Sequence, residues 1–188
     1  MPAVTHYWTV DEVLALPEDG NRYEVIDGEL LVSPSPRLLH QDAIPELWLR
    51  LRDYLREYPS GHALASPADI QLEVETLVQP DVFVAPLLDG KRPKGWTEIR
   101  SLLLAVEVIS PSTGRADRQV KRLFYQRAGV REYWIVDVDA RLIERWRPSD
   151  TRPEVLTESI EWQPDASHPP LAIDLESYFA DVTGEPLA

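Results

Sequence analysis

The chain has 188 residues, of which 44% are hydrophobic, so it is long enough for one compact domain with a sizeable core. It has no cysteine and no run of about 18 apolar residues, which excludes disulfides, thiolate metal sites and a membrane-spanning helix. The formal net charge of −13 at pH 7 counts against broad, non-specific binding of nucleic acid, but it leaves room for a carboxylate cluster that holds a cation. Because the N-terminal residues lack a basic region followed by an apolar one, we expect no secretory signal and a cytoplasmic protein.

The N-terminal part of the chain predicts a short helix and then a β-hairpin. Thr9 lies three residues before Glu12, the spacing of a capping box, and Pro17 ends the helix that this box would begin. Asp27-Gly28 lies between two apolar runs, which is the strongest short-range signal for a hairpin. The two predicted strands are residues 22–26 and 29–32.

The middle of the chain predicts one helix followed by three strands. Apolar residues recur at helical spacing from Ile44 to Tyr58, after a proline-rich loop that ends at Arg37. The runs that follow predict strands over residues 68–74, 78–85 and 102–109. The last two of these runs each contain one acidic residue among apolar neighbours.

The C-terminal part predicts a second helix, more strands and a short closing helix. The second helix runs from Asp117 to Ala128, and Gly129 is placed for a left-handed C-terminal cap. Strands are predicted over residues 133–136, 142–146 and 155–162, and the closing helix over residues 171–179. The order helix, three strands, helix, strand, with extra strands at both ends, indicates a mixed α/β or α+β fold.

Glu107 is the only ionisable residue in the apolar run from Leu102 to Ile109. Such a run is typical of a strand that is covered on both faces, where an unpaired carboxylate loses its water at a considerable cost in free energy. We therefore expect Glu107 to contact a metal ion or a lysine, to be protonated, or to lie at an open strand end. The alternative is an ordinary salt bridge that has no catalytic or metal-binding role.

Asp81 and Lys121 are the other residues that could form a site with this acid. Asp81 follows Pro80, which cannot donate a hydrogen bond within a sheet and so marks an edge, a bulge or the start of a strand. The side chain of Asp81 therefore either points into a functional site or is an ordinary strand cap. Lys121 shares a helix face with Phe124 and Ala128, so its side chain would reach a polar pocket or, alternatively, solvent. Two carboxylates on neighbouring strands could hold Mg²⁺, and the lysine could orient water or offset charge in the transition state.

Five segments of the chain carry a family resemblance. They are YWTVDE (7–12), RYEVIDGEL (22–30), QPD (79–81), VEVISPS (106–112) and GVREYWIVD (129–137). In these segments the chain resembles the Uma family, a bacterial group assigned to the restriction endonucleases of the PD-(D/E)XK nuclease superfamily, and the resemblance runs from about Tyr7 to Phe179. It implies a single restriction endonuclease-like domain over residues 1–188, whose core of helix, three-stranded antiparallel sheet, helix and strand spans about residues 39–147.

The resemblance also implies roles for particular residues. Asp81 is the first acid of the metal site and Glu107 the second, but the lysine that the motif places two residues further on is Ile109 here. The resemblance implies that Lys121 on the following helix takes this role, which makes Asp81, Glu107 and Lys121 the catalytic residues. Asp69, on the strand before Asp81, would be a third metal ligand.

The same resemblance implies two accessory polar residues, Glu24 in the hairpin and His40 before the first helix. His40 could activate water or bind phosphate as a cation, or it could be a helix cap or a surface residue. Ser110 and Ser112 could bind phosphate or simply begin the second helix.

Two hypotheses for the function stay open. The presence of Asp81, Glu107 and Lys121 favours a nuclease that cleaves DNA with Mg²⁺ or Mn²⁺. The charge of −13 and the isoleucine at position 109 favour a catalytically inactive member that serves as a binding or assembly module. A glycosidase with two carboxylates lacks support, because no aromatic-lined sugar site is evident.

The expected partners are DNA and a second copy of the chain. Basic residues in one loop and around the second helix could meet a phosphate backbone, and they are Lys91, Arg92, Lys94, Arg115, Arg118, Lys121 and Arg122. Tryptophan is favoured at protein interfaces, and the chain has six. Because restriction-type nucleases often act as dimers, we expect a homodimer.

Overall fold

The computed structural model of the protein describes residues 6–110 and 113–185. Its first helix is α1 (Val10–Leu14), whose capping box joins Thr9 and Glu12 as predicted. The predicted hairpin is also confirmed, with strands β1 (Arg22–Ile26) and β2 (Glu29–Ser33). Its turn residues both have positive φ, which the Asp-Gly pair tolerates and most other pairs do not.

The first long helix is α2 (Leu38–Glu57), and it begins earlier than predicted. The expectation that His40 precedes this helix is therefore wrong, because His40 lies in its first turn. Leu38 and Leu39 are exposed, and the apolar periodicity that predicted the helix begins only at Ile44. Pro45 lies inside the helix, where a sequence pattern would place a break.

Three antiparallel strands follow, but the first is not the predicted one. They are β3 (Gly61–Ala65), β4 (Val82–Pro86) and β5 (Leu104–Val108). The strand predicted over residues 68–74 is wrong: only Ile70 forms an isolated bridge, with Val78. As a result Asp69 lies in the loop between β3 and β4, not on a strand.

Gly61 explains why the sequence pattern did not predict strand β3. A Cβ atom at Gly61 would lie 2.6 Å from Cγ1 of Val84, so the two strands approach closely only because residue 61 has no side chain. Gly61 begins a strand whose side chains are mostly small, so a search for runs of large apolar residues does not detect this strand. The loop beyond it has buried Ala68 and Ile70, which imitate the alternation of a strand.

The second helix is built from three continuous pieces, which we call the composite helix (residues 114–127). They are α3 (Gly114–Ala116), a π-helical segment (Asp117–Lys121) and α4 (Arg122–Arg127). The helix predicted from Asp117 to Ala128 is confirmed, and Gly129 has the positive φ expected of its cap. π-Helical turns inside α-helices are frequent at functional sites, and this one carries Asp117 and Lys121.

The C-terminal part adds five strands and the last helix. The strands are β6 (Glu132–Asp137), β7 (Leu142–Trp146), β8 (Glu154–Leu156), β9 (Ser159–Trp162) and β10 (Leu171–Asp174). The single strand predicted over 155–162 is thus two strands, β8 and β9. The predicted closing helix starts later, at α5 (Leu175–Thr183), because the carboxylate of Asp174 caps it by accepting from the backbone N–H of Ser177.

The strands β3 to β8 form one sheet in sequence order, in which only β5 and β6 are parallel. The composite helix makes the crossover between these two strands, and the observed order of core elements confirms the predicted mixed α/β fold. Helices α2 and α5 cover one face of the sheet. The composite helix and the hairpin pack on the other face, around Phe83, Phe124 and Tyr133. Within the described residues, no helix is both long and apolar enough to cross a membrane.

Candidate active site

The two predicted acids lie side by side at one end of the sheet. Val82 of β4 pairs with Val106 of β5, so continuing this register by one residue sets Asp81 opposite Glu107. Opposed residues of an antiparallel pair point to the same face, which here is the face covered by the hairpin and the composite helix. Both carboxylates are almost wholly buried, each in a residue with 1% exposure.

Lys121 joins these acids from the composite helix. Its Nζ lies 3.0 Å from Oε1 of Glu107, 2.6 Å from Oε2 of Glu24 and 3.6 Å from Oδ1 of Asp117. The lysine is as buried as the acids it meets. The alternative of a solvent-facing lysine is excluded by this position.

Asp81 is held by donors from three different elements. Arg22 of β1 donates from Nη1 to Oδ1 over 2.6 Å, and the backbone N–H of Val108 donates to Oδ2 over 2.8 Å. Nε2 of His40 lies 3.2 Å from the same Oδ2. Strands β1 and β5 and helix α2 therefore all converge on one carboxylate.

Asp81 and Glu107 differ in the direction of their pKa shifts. Burial by itself raises the pKa of Asp81, but the hydrogen bond from His40 and the charges of Arg22 and Lys121 outweigh it and lower the pKa to about 2. Burial raises the pKa of Glu107 well above its ordinary value, and Lys121 opposes the shift without cancelling it. Asp81 is thus a carboxylate at neutral pH, while Glu107 holds a proton far more tightly.

The pKa values of Lys121 and of Asp117 are shifted by the same cluster of charges. Burial works against the charged form of Lys121, yet the charges of Glu107 and Glu24 raise its pKa above the ordinary value. Burial raises the pKa of Asp117, and Lys121 works against this rise. The hydroxyl of Tyr125 also donates to Oε1 of Glu107 over 3.2 Å. The ammonium therefore stays charged at the centre of the cluster.

The charges and lone pairs of the cluster fit a bound divalent cation. Four buried acids (Glu24, Asp81, Glu107, Asp117) face only two permanent cations, Arg22 and Lys121, so full ionisation leaves an excess of two negative charges. Oε2 of Glu107 accepts no hydrogen bond from any described residue. Carboxylate oxygens of this kind are the ligands that Mg²⁺ prefers.

A complete ligand set is not assembled from side chains alone. Among residues 6–110 and 113–185, no group of three or more His, Asp or Glu side chains is arranged to hold a metal. Asp69, the predicted third ligand, is exposed and its Oδ1 accepts from Nε2 of Gln79 over 2.7 Å. The fit therefore rests on Asp81 and Glu107, and Mg²⁺ commonly binds through one or two carboxylates while keeping several waters.

A cavity of about 820 Å³ gives access to the cluster. Arg22, His40, Asp69 and Asp81 contribute to its wall, whereas Glu107 and Lys121 do not. Asp81 and Arg22 thus lie between the cavity and the pair formed by Glu107 and Lys121. Of the two acids, Asp81 is the one that borders this cavity.

The chain resembles known proteins in sequence and in fold. The Uma2 family model, described as "Putative restriction endonuclease", matches residues 10–179. The chain belongs to this family. A crystal structure of a "putative nuclease belonging to DUF820" from Anabaena variabilis resembles this Uma2 chain with a TM-score of 0.75 and 19% identity, covering 93% of this chain and 99% of that one. No protein with a curated description matches the chain significantly in sequence.

Five of the six residues proposed for the Uma2 site lie in one cluster. Asp81, Glu107, Lys121, Glu24 and His40 are linked by the contacts given above, while Asp69 lies on the cavity wall. In the loop before the composite helix, Ser110 and Thr113 line the cavity and bond to each other at the helix start. Ser112 lies outside the described residues.

Three residues of the cluster were missed from the sequence: Arg22, Asp117 and Tyr125. Asp117 and Tyr125 share the helix face of Lys121, at four residues before and after it, so the pattern that selected the lysine could also have selected them. Arg22 gave no such signal. Its contact with Asp81 spans 59 residues of sequence and depends on how the hairpin docks on the sheet.

Proposed function

We propose that this Uma2 protein is a nuclease that hydrolyses DNA phosphodiester bonds with Mg²⁺ or Mn²⁺. The observation that carries the proposal is the convergence of Asp81, Glu107 and Lys121 in a buried cluster with an acidic excess, next to a cavity. Family membership also supports it, since the family carries the description "Putative restriction endonuclease".

Each residue of the cluster has a role in the proposed reaction. Asp81 and Glu107 would hold the metal, which would polarise a phosphoryl oxygen and lower the pKa of a bound water. Lys121 keeps its proton beside Glu107 and offsets negative charge that grows in the transition state. His40 lines the cavity next to Asp81, where its imidazole can position a water or a phosphate.

DNA is the proposed substrate despite the net charge of −13, because local charge decides where a phosphate binds. Lys91, Arg92 and Lys94 are exposed on one loop. The basic group expected around the composite helix is smaller than predicted: Lys121 is buried, and Arg118 is paired with Glu144 at 2.7 Å. The loop at 91–94 joins β4 to β5 at the strand ends opposite Asp81 and Glu107, so it does not border the cavity. Arg37, which is exposed and lines the cavity, is therefore the basic residue that we assign to the DNA backbone, and a homodimer would present two such cavities.

A second candidate function is a binding or assembly module without catalysis. It is favoured by one contact, the 2.6 Å ion pair in which Arg22 occupies an oxygen of Asp81. If that contact is permanent, the acid is not open to a metal. The two candidates make opposite predictions for a cleavage assay.

The test is cleavage of plasmid and single-stranded DNA with Mg²⁺ or Mn²⁺ by the wild type and by Asp81→Asn, Glu107→Gln and Lys121→Met. Asp81→Ala and Glu107→Ala complete the series. The matched control is Glu161→Gln, which makes the same change on an exposed strand residue outside the cluster. We expect metal-dependent cleavage by the wild type and the control, and a loss of at least about 100-fold in each site variant.

Two results would reject the nuclease. Equal residual cleavage in all variants would show that another nuclease is present in the preparation. No cleavage by a folded wild type with either metal would favour the binding module.

A further inference from the structure

Arg22 contacts three of the four buried acids with one guanidinium group. Its Nη1 donates to Asp81 over 2.6 Å and to the carbonyl oxygen of Gln79 over 3.1 Å. Its Nη2 lies 3.8 Å from Oε2 of Glu107, and its Nε lies 3.8 Å from Oε2 of Glu24. A single cation thus lies between the two carboxylates that are proposed to share a metal.

The two cations of the cluster are placed differently. The side chain of Lys121 is 2% exposed and lies behind the acids, away from the cavity wall. The side chain of Arg22 is 20% exposed and forms part of that wall. Arg22 therefore has a route out of the cluster that does not disturb the core, whereas Lys121 has none.

The contacts of Arg22 are also uneven in strength. Only the contacts with Asp81 and with the Gln79 carbonyl are within hydrogen-bond distance, and those with Glu107 and Glu24 are ion pairs at 3.8 Å. Oε2 of Glu107, which faces the guanidinium at this distance, accepts no hydrogen bond from the described residues. A small cation with short oxygen contacts would satisfy this atom better than Arg22 does.

We propose that Arg22 is a displaceable counter-ion of the metal site. In the metal-free protein it holds Asp81 near Glu107 and limits their repulsion. A divalent cation competes with it for the same oxygens, and the guanidinium moves towards the cavity when the cation binds. This inference rests on the proposed function, because it requires Asp81 and Glu107 to be metal ligands.

The first experiment measures metal affinity, not cleavage. Calcium and manganese chloride are titrated calorimetrically into the wild type, Arg22→Gln, Arg22→Lys and Asp81→Asn. Because Arg22→Gln removes the competing charge, we expect it to bind the metal at least about tenfold more tightly than the wild type. Arg22→Lys keeps the charge and should stay near the wild type, and Asp81→Asn should lose binding.

The second experiment follows Arg22 in the wild-type protein, in case Arg22→Gln does not fold. Phenylglyoxal modifies accessible arginines, and peptide mass spectrometry gives the rate at each position. We expect calcium to raise the modification rate of Arg22 several-fold. The internal control is Arg127, which pairs with Asp27 and Glu73 away from the cluster and should not respond.

The outcomes separate this inference from the proposed function. If the wild type binds metal through Asp81 but Arg22→Gln binds no more tightly, or calcium leaves Arg22 equally or less reactive, Arg22 is not displaced and the nuclease proposal stands. If neither the wild type nor Arg22→Gln binds metal, both proposals fail.

Discussion

At the scale of single residues, the site is a balance of buried charges. Each carboxylate of the cluster lies within 4 Å of a lysine or an arginine, and these contacts replace the water that burial removes. Removing one partner of such a group is costly, because the remaining charge stays buried without compensation. The cluster should therefore be visible in stability measurements as well as in activity.

Loss of Lys121 should destabilise the protein strongly. The change Lys121→Met leaves Glu24 and Glu107 without their nearest cation, and we expect the free energy of unfolding to fall by roughly 3 kcal/mol at neutral pH. Urea unfolding followed by tryptophan fluorescence measures this loss. Lys91→Met, the same change at an exposed position, should cost little, and equal losses in the two variants would show that Lys121 has no buried charge to balance.

Because of Glu107, the stability of the protein should fall as the pH rises. Its pKa is raised in the folded protein, so between about pH 4.5 and that raised value the folded state binds more protons than the unfolded state. Its contribution to stability is therefore present below about pH 4.5 and is lost as the pH rises.

The change Glu107→Gln tests this direction. Gln cannot titrate, so urea unfolding of the variant should show a smaller decline in stability from about pH 5 to pH 8 than that of the wild type. Part of the decline should remain because the pKa of Asp117 is raised as well. Parallel pH profiles of the two proteins would contradict the raised pKa of Glu107.

At the scale of elements, the sequence predicts the features that depend on contacts between residues close together in the chain. The capping box of α1 and the Asp-Gly turn of the hairpin involve residues at most three apart, and both are confirmed. Strand β3 and the start of α2 were not predicted, because Gly61 depends on packing against Val84 and because Leu38 and Leu39 face solvent. Local patterns do not encode such contacts.

The hairpin is the element that positions Arg22 and Glu24, and its turn can be perturbed alone. Gly28 has a φ of +77°, and a Cβ there would lie 2.2 Å from the ring of Tyr7. Gly90 has a similar φ of +74° with nothing within 4 Å, which makes it a matched control.

We expect Gly28→Ala to lower the free energy of unfolding by about 2 kcal/mol and Gly90→Ala by about 1 kcal/mol, since both share the backbone strain and only the first adds a clash. Urea unfolding of both variants measures the difference. An equal loss would show that Tyr7 yields to the added methyl group and that the contact does not hold the hairpin.

At the scale of the whole molecule, the fold joins parts that are distant in sequence. The register of β4 and β5 sets Asp81 beside Glu107, and this could be anticipated once both strands were predicted to be neighbours. Docking of the hairpin could not be anticipated, because it depends on the bridge between Val25 and Leu77 and on the ion pairs of Arg127. The proximity of the two acids was therefore predictable from the sequence. Lys121 was added by the family resemblance, and the arginine between the acids was not predicted.

The most direct measurement of the central claim is a crystal structure of the protein soaked in Mn²⁺, with anomalous diffraction data. We predict an anomalous peak at roughly 2 Å from a carboxylate oxygen of Asp81 and from Oε2 of Glu107, with Arg22 turned towards the cavity. A protein without a peak at these two acids, and with Arg22 still bonded to Asp81, would contradict the claim that they share a metal ion.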